Sequence, residues 1–497
     1  MRRVLVVLTA MSLVGALAAP AAALAAPGKV TFVAPNGSND TANIQAALNG
    51  CSGAGFGCVV QLRAGTYYTS QLVADNFVGT LRGAGMGATT IVALAQLPVT
   101  QAWFSCLPDT TACLWPVVLN FVDGRFTVSD LSLDIPAVNS TETAEYLSGN
   151  PPTPTVGLFA AINNLVVTHQ DATFQRIGVR GRNDDTAPNM PGFNTLYGVN
   201  EWAWTPTPTG SLTVADSSIS TVFAAVSPGG GGASSSTTVT GNMISNVAGG
   251  IWGGGDGRFE ISHNRIGADN PDPTAVDHMG ISFGPLGHET GVAAWFSIHD
   301  NAITLADTCG CGMAGIQLFD AAFGVPHWLT ASVVNNTISV GGGGFLSGEW
   351  KDGIELNNTI GTMVTANTIR STDSTNAGAA IGILGQNAYF GVEGSPAAAR
   401  NLVLGNNVRG FTPQGTPIDS TSLPGLGSSQ YYLDPNTSNN LVVCTSKVDT
   451  SLDLGSGNHV LNCTPVAVPH AAVTPLVTSH AVSACQADLP TLLKRQP

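Results

Sequence analysis

Short apolar segments with a shared polar residue recur along the middle of the chain. Each copy ends on an aliphatic residue two positions after an asparagine: VTGNMI, ISHNRI, IHDNAI, VVNNTI, VTANTI and VLGNNV. The shared residues are Asn242, Asn264, Asn301, Asn336, Asn367 and Asn406, which lie 22, 37, 35, 31 and 39 residues apart. Apolar and polar positions alternate within each copy, which predicts a β-strand, and the repetition predicts stacked units.

A second strand lies between successive copies. Its members are GGIW (249–252), MGIS (279–282), AGIQ (314–317), DGIE (352–355) and AAIG (379–382). Strands this short cannot bury an apolar face alone, so successive copies must stack at the ~4.8 Å spacing of paired strands. We therefore predict a parallel β-solenoid with inward isoleucines and a hydrogen-bonded asparagine ladder. A β-propeller would need antiparallel strands joined by hairpin turns, and the chain shows no such series.

The N-terminal part has a different pattern. NDTANIQAALNG (39–50) predicts a short helix capped by Asn39 or Asp40, with Ile44, Ala47 and Leu48 on one side. A strand, CVVQLRAGTYY (58–68), and the segment TLRGAGMGATTI (80–91) follow it. Because a solenoid must cover its open end, we expect this region to be a cap.

This N-terminal run resembles the start of the pectate-lyase superfamily. Members of that superfamily often open with an Asp-Asp-Thr helix, a Pro-Ala-Gly-Thr-Tyr strand and a Gly-Ala-Gly turn; here Asn39-Asp40 replaces the two aspartates and Arg63 stands where proline is usual. The resemblance implies an all-β, right-handed parallel β-helix with a short N-terminal capping helix. It does not specify the activity, because this architecture hosts lyases, hydrolases, epimerases, esterases and binding proteins.

Four segments are predicted along the chain. They are a signal peptide (1–25), the cap and first coils (26–125), the β-helix repeats (126–410), and a C-terminal coil with a loose tail (411–497). A signal peptide predicts a secreted protein, extracellular or periplasmic. The spacing of the cysteines in the exported part suggests the disulfides Cys51–Cys58, Cys106–Cys113 and Cys444–Cys463, with Cys309, Cys311 and Cys485 unassigned.

Charge narrows the class of partner. Without Arg2 and Arg3 the chain carries 16 basic and 32 acidic residues, which argues against nucleic acid and anionic membranes as partners. Beyond the N-terminal signal no stretch is suited to membrane insertion. The exposed face of a strand column forms a long groove, which suits a polysaccharide, and we expect the protein to act as a monomer.

The register of the second strands places the candidate chemistry. If their isoleucines point inward, the residues that follow them point outward: Trp252, Ser282, Gln317, Glu355 and Gly382. Titratable residues cluster on the coils of Ile281, Ile316 and Ile354. Strict alternation would turn Asp352 inward, where an unpaired carboxylate is costly, so we expect the strand to begin near Gly353 with Asp352 in the preceding turn.

Two reactions suit these coils, and the candidate catalytic residues are Lys351, Glu355, Asp320, His278 and Asp277. Uronate elimination needs a base, Lys351 or His278, and a counter-charge, either Lys351 or a cation such as Ca²⁺ held by Asp277, Asp320 and Glu355. Glycoside hydrolysis needs two carboxyl groups, for which Asp320 and Glu355 are the candidates. The sequence does not choose between the two, and Lys351 with Glu355 is equally explained as a surface ion pair.

Aromatic and polar neighbours complete the predicted groove. Gln317, Trp252 and Trp350 are candidates for substrate binding, and residues 181–210 form a predicted loop beside the groove that carries Tyr197 and Trp202. We predict a secreted, polysaccharide-active β-helix protein, a lyase in preference to a hydrolase, acting on a uronate-containing polymer. The alternative is a non-catalytic carbohydrate-binding or cell-surface structural β-helix.

Overall fold

The computed structural model of the chain describes most of the repeat region and its N-terminal cap. It describes residues 28–52, 57–94, 96–97, 117–136, 139–140, 158–182, 194–203, 209–229, 235–255, 257–269, 278–284, 293–305, 313–319, 328–340, 351–372, 378–385, 398–411, 430–434 and 436–466. The predicted signal peptide and the Cys106–Cys113 pair lie outside these residues. The four predicted segments as such stay a prediction.

The strands of the repeats form three columns, each hydrogen-bonded coil to coil in parallel. Column A contains β10 (Thr195–Ala203), β13 (Ala224–Ser227), β16 (Gly249–Gly254), β19 (His278–Gly284), β22 (Met313–Phe319), β25 (Lys351–Asn357), β28 (Ile381–Leu384), β31 (Tyr431–Leu433), β33 (Thr450–Asp453) and β35 (Thr464–Pro465). Its pairing places Ile251, Ile281, Ile316, Ile354 and Ile381 in one line. All five are buried in the interior core, as their sequence register predicted.

Columns B and C complete each coil. Column B contains β11 (Thr209–Ala215), β14 (Ser236–Thr240), β17 (Arg258–Ser262), β20 (Ala293–His299), β23 (Trp328–Val334), β26 (Met363–Thr365), β29 (Leu402–Leu404), β32 (Leu441–Val443) and β34 (His459–Leu461). Column C contains β12 (Ser218–Ser220), β15 (Met243–Ser245), β18 (Arg265–Ala268), β21 (Ala302–Leu305), β24 (Thr337–Val340), β27 (Thr368–Ser371) and β30 (Asn407–Arg409). The predicted right-handed parallel β-helix is confirmed.

The first coils use longer strands that continue around the corners. Their elements are β1 (Val30–Val33), α1 (Thr41–Asn49), β2 (Cys58–Leu62), β3 (Gly65–Thr69), β4 (Leu72–Arg82), β5 (Thr89–Ala93), β6 (Gln96–Leu97), β7 (Val117–Asp134), β8 (Asn139–Ser140) and β9 (Leu158–Arg180). The strand β9 pairs with a strand of each column, namely β10, β11 and β12. The cap and the repeats therefore share one continuous sheet.

The helix α1 packs on this sheet with the predicted face. Its buried residues are Ile44, Ala47 and Leu48. Asp40 is the cap residue, but its carboxylate accepts hydrogen bonds from the N–H groups of Asn36 and Tyr68 rather than from the helix. The amide oxygen of Asn39 accepts the N–H of Thr41 at 3.0 Å instead. Asp40 thus links the helix to β3.

The asparagine ladder forms at the corner between columns B and C. The side-chain amides of Asn242, Asn264, Asn301, Asn336 and Asn367 each donate to the oxygen of the next asparagine at 2.9–3.0 Å. The same oxygen accepts the backbone N–H of the preceding asparagine, for example 3.0 Å from Asn264 N to Asn301 Oδ1. Every member is buried, so the ladder satisfies backbone groups that a tight corner leaves without strand partners.

Two of the predicted disulfides are present. Cys51 pairs with Cys58, and Cys444 pairs with Cys463. Such bonds persist in oxidising compartments, which supports maturation outside the cytoplasm. Among the described residues, no helix has the length and apolar character needed to cross a membrane.

One predicted loop is partly wrong. Within residues 181–210, Thr195–Ala203 form β10 of column A and pair with both β9 and β13. Val199 of this strand lies in the interior core, while Tyr197 and Trp202 pack in an apolar cluster outside it. Gly198 stands in register with the glycine that precedes the isoleucine in the later strands of column A, so the segment continues the repeat pattern. The Pro- and Gly-rich residues on either side hid that pattern in the sequence.

Candidate active site on column A

Each coil of column A begins with a bend, which sets where its side chains point. Val118, Ala161 and Ala225 stand at one equivalent position of three coils. Each of them faces the interior core, and so does the residue that follows it in the chain. The residue before the pair, for example Ala160 or Ala224, belongs instead to the outer apolar cluster. The pattern is therefore out, in, in, out, rather than the strict alternation of a straight strand.

Glycine fills the first inward position on the coils with the candidate chemistry. A Cβ on Gly353 would lie 2.3 Å from Ile369 Cγ2 and 2.5 Å from the Ala380 carbonyl oxygen. A Cβ on Gly280 or Gly315 would likewise collide with an isoleucine side chain of column C. The bend brings the backbone close to the opposite corner of the coil, and only glycine fits there.

The position of Asp352 corrects the sequence-based prediction. The strand β25 begins at Lys351, not near Gly353, so Asp352 lies inside it and pairs with Ala314. Because the chain bends at Gly353, Asp352 shares the outer side of the sheet with Glu355. The prediction that Asp352 lies in a turn before the strand is therefore wrong.

Glu355 belongs to a line of polar side chains along the outer face. Ser282, Gln317 and Glu355 are in register on β19, β22 and β25. The Ser282 hydroxyl donates to Gln317 Oε1 at 2.9 Å, and Gln317 Nε2 donates to Glu355 Oε2 at 3.2 Å. The serine fixes the amide of Gln317 so that its N–H groups face the carboxylate.

Each carboxyl group of the pair has one oxygen held and one oxygen available. Asp352 Oδ1 accepts the N–H of Ala379 at 2.6 Å, and Glu355 Oε2 accepts Gln317. Within the described part of the chain, Asp352 Oδ2 and Glu355 Oε1 are buried without a hydrogen-bond partner. Buried polar atoms are almost always paired, so two such atoms on neighbouring acids make this pair a candidate site.

Burial shifts the proton affinity of both acids. It raises the pKa of Glu355 to about 7, although the hydrogen bond from Gln317 acts in the opposite direction. Burial and then the nearby charge of Glu355 hold the pKa of Asp352 well above its usual range, against the effect of the Ala379 N–H. Two carboxyl groups this close disfavour each other's ionisation, so the pair favours a state in which one acid keeps its proton while the other ionises.

Apolar clusters flank this line at both ends. On the N-terminal side, Trp252 is in register with Ser282 and its ring lies 5.5 Å from that of Phe223. On the C-terminal side, Tyr432 packs with Ala379 and Leu452 outside the interior core. Burial and the charges of Asp434 and Asp352 raise the pKa of Tyr432. These surroundings lower the local polarity around the two carboxyl groups.

The structure describes part of the predicted site. Glu355 and Gln317, both predicted to point outward, are hydrogen-bonded to each other, and Trp252 lies half-buried on the same outer line. His278 is buried on column A, in register with Met313 and, one coil further, with Lys351. The side chain of Lys351 and the residues Asp277, Asp320 and Trp350 lie outside the description, so their roles stay predictions, as does a Ca²⁺ site.

Sequence reasoning missed Asp352 and Ser282 as members of the site. Ser282 was placed on the outer face without a role, and it orients Gln317. The signal for Asp352 was the shared glycine in MGIS, AGIQ and DGIE, because a glycine repeated at one position of stacked strands indicates a bend.

Known proteins similar to this chain are found by structure and not by sequence. No family model matches the chain, and no curated protein sequence matches it. Similar solved structures include the A-module of the mannuronan C-5 epimerase of Azotobacter vinelandii, at 13% identity over 90% of this chain and 96% of that one, with a TM-score of 0.31.

Two further structures illustrate the range. The DFA-IIIase of Arthrobacter chlorophenolicus A6 is 16% identical over 86% of this chain and 94% of that one, with a TM-score of 0.40. The family 28 exopolygalacturonase of Yersinia enterocolitica is 10% identical over 85% of this chain and 79% of that one, with a TM-score of 0.35. At these identities they transfer no residue role to this chain.

Proposed function

We propose that the protein is a polysaccharide-active enzyme that hydrolyses glycosidic bonds on the outer face of column A. The observation that supports this proposal is the pair Asp352 and Glu355, buried together, each with one oxygen held and one unpartnered. An acid that keeps its proton beside one that loses it is what glycoside hydrolysis requires.

The two acids have different roles. Asp352, whose ionisation the nearby charge of Glu355 disfavours, transfers its proton from Oδ2 to the glycosidic oxygen as the bond to the anomeric carbon breaks. The ionised Glu355 acts through Oε1, either by bonding to the anomeric carbon or by taking a proton from the attacking water. Gln317 and the Ala379 N–H hold the other two oxygens and keep both carboxyl groups oriented.

Both side chains are fully buried, which has a consequence for access. A sugar chain can reach them only after the atoms that cover them move aside. The enclosed site then keeps the acid protonated and excludes competing water, as in many sites that close over a substrate.

The proposed substrate is a polysaccharide, and the uronate-containing polymer expected from the sequence is its first candidate. Elimination from a uronate, the reaction favoured from the sequence, relies on Lys351 or His278 as base and on Lys351 or a cation as counter-charge. The carboxyl pair supports hydrolysis instead, because it supplies an acid and a carboxylate without a cation. We further propose that the protein is secreted by its N-terminal signal and acts as a monomer, which N-terminal sequencing of the exported protein and sedimentation would test.

One experiment separates these functions. The purified protein is incubated with pectin, alginate and neutral glycans, and products are read both at 235 nm, for unsaturated uronates, and as reducing ends. Hydrolysis predicts reducing ends without absorbance at 235 nm, and a loss of at least ~100-fold in Asp352→Asn and Glu355→Gln. Asp130→Asn, which removes a carboxylate bonded to Arg176 away from column A, serves as the control and should keep full activity.

The other outcomes reject the proposal. Growth in absorbance at 235 nm that disappears in Lys351→Ala would establish a lyase. Binding of a glycan without any product would establish the non-catalytic alternative. Wild-type turnover by both acid variants would show that the pair is not the catalytic machinery.

A further inference from the structure

We propose a second site, for a transition-metal ion such as Zn²⁺, at the corner between columns B and C. It is formed by His263, His299 and Asp300, whose ligand atoms all lie within 4.8 Å of one another. Two imidazoles and a carboxylate are a donor set that suits Zn²⁺ and similar ions better than Ca²⁺ or Mg²⁺.

The stacking of coils brings these residues together. His299 is the last residue of β20 and is in register with Ser262, the residue before His263. The N–H of His263 donates to the carbonyl oxygen of His299 at 3.3 Å. His263 and Asp300 both adopt left-handed backbone conformations, with φ of 56° and 55°, at equivalent points of successive coils. An ion held here would connect two coils.

Glu260 completes the arrangement from the same coil as His263. Its carboxylate oxygen Oε1 contacts His299 Nε2, while His299 Nδ1 lies 2.7 Å from Asp300 Oδ2. When Glu260 accepts the Nε2–H, the lone pair on Nδ1 faces Asp300, and a ligand atom of His263 lies within 4.8 Å of the ligand atoms of the other two residues. A carboxylate that orients a ligand imidazole in this way is the usual second partner of metal-binding histidines.

The site is open to solvent. The side chains of His299, Asp300 and Glu260 are 31%, 34% and 37% exposed. An ion can therefore enter without rearrangement of the coil. The corner is separate from the carboxyl pair, which lies on the outer face of column A.

A simpler arrangement of the same residues does not involve His263. Burial lowers the pKa of His299, but its contacts with Asp300 and Glu260 outweigh this effect and raise it. A protonated His299 between two carboxylates would explain those contacts alone. The two arrangements differ in whether His263 matters, and this difference decides the experiment.

The test measures metal binding directly on the full chain. After treatment with a chelator, the protein is titrated with ZnCl₂ in a calorimeter, and its melting temperature is recorded with and without the ion. We expect one ion bound at this corner and a higher melting temperature, because a ligand of the native state stabilises it. In His263→Asn we expect affinity to fall at least about tenfold.

The variants are chosen to preserve the fold. Asparagine already occupies the equivalent left-handed position at Asn335, with φ of 56°. Valine is suitable at His299, because Val334 is its neighbour in register. The matched control is His169→Asn, which alters an exposed histidine in contact with Asp171 and Thr209.

A second pair of measurements tests whether other residues of the chain, the cysteines above all, bind the ion instead. The double variant Cys309→Ser/Cys311→Ser should bind Zn²⁺ as the wild type does, and Co²⁺ should give visible bands without thiolate charge transfer. The proposal is overturned if Zn²⁺ does not bind, if binding survives unchanged in either His263→Asn or His299→Val, or if it disappears in the cysteine or His169 variant.

Discussion

The buried acid pair should make the stability of the protein fall as the pH rises. The pKa of Glu355 is about 7 in the folded chain, against an ordinary value of 4.5. Because the folded state holds this proton more tightly, burial of Glu355 has no cost in free energy below pH 4.5. The cost grows between pH 4.5 and 7 and is complete above that range.

The magnitude follows from these two values. At about 1.4 kcal/mol for each tenfold change in proton affinity, ionisation of Glu355 costs roughly 3 kcal/mol of folding free energy at pH 8. In a chain of this length each kcal/mol shifts the melting temperature by about 1 °C, because the entropy of unfolding grows with size. Glu355→Gln has no charge to bury, so it should melt ~3 °C above the wild type at pH 8 and at the same temperature at pH 4.5.

The assay is a set of thermal melts from pH 4.5 to 8 on both proteins. Asp130→Asn is the control of opposite sign, since its hydrogen bonds with Arg176 lower the pKa of Asp130. Asp130 is ionised throughout that range, so the difference between this variant and the wild type should not change between pH 5 and 8. If the difference for Glu355→Gln is equally flat, Glu355 is not a buried acid with a raised pKa, and its catalytic assignment loses its basis.

Two further predictions concern the frame that positions the pair. Asn301→Ala removes the amide that donates to Asn336 and the oxygen that accepts from Asn264, so we expect a loss of about 2–4 kcal/mol, measured by chemical denaturation against the exposed control Thr337→Ala. An unchanged midpoint would show that water replaces the ladder. Gly315→Ala places a Cβ 2.4 Å from Ile338 Cγ2, so we expect about 1–3 kcal/mol of destabilisation, whereas Gly87→Ala, with open space around it, should be neutral. Equal melting of the two glycine variants would contradict the bend.

The β-helix could be predicted from the sequence because its pattern is periodic. Inward isoleucines and corner asparagines recur in the chain, and stacking forces each of them to repeat its environment. The cap helix and two disulfides were predictable for a related reason, since both depend on short spacings.

The site was less predictable because it depends on a departure from that regularity. The outward positions of Glu355 and Gln317 follow from the register of Ile354 and Ile316, and the two side chains are hydrogen-bonded there. The outward direction of Asp352 depends on a bend that turns the next two residues inward. Strict alternation along a straight strand would instead predict that Asp352 points inward. The cluster at His263 joins residues of successive coils, and its signal in the sequence was the position of His263 and Asp300 directly before the ladder asparagines Asn264 and Asn301.

The spacing of the ladder asparagines has a consequence for how such a protein can change. Periods of 22 to 39 residues all return the chain to the same corner, so register does not depend on how many residues connect the strands. A whole connecting segment can therefore be replaced by another. Such a replacement changes which ligands can reach the outer face, while the two acids keep their positions. A single residue lost inside DGIE would have the reverse effect, because it would rotate one carboxyl group to the wrong side and leave every connection intact.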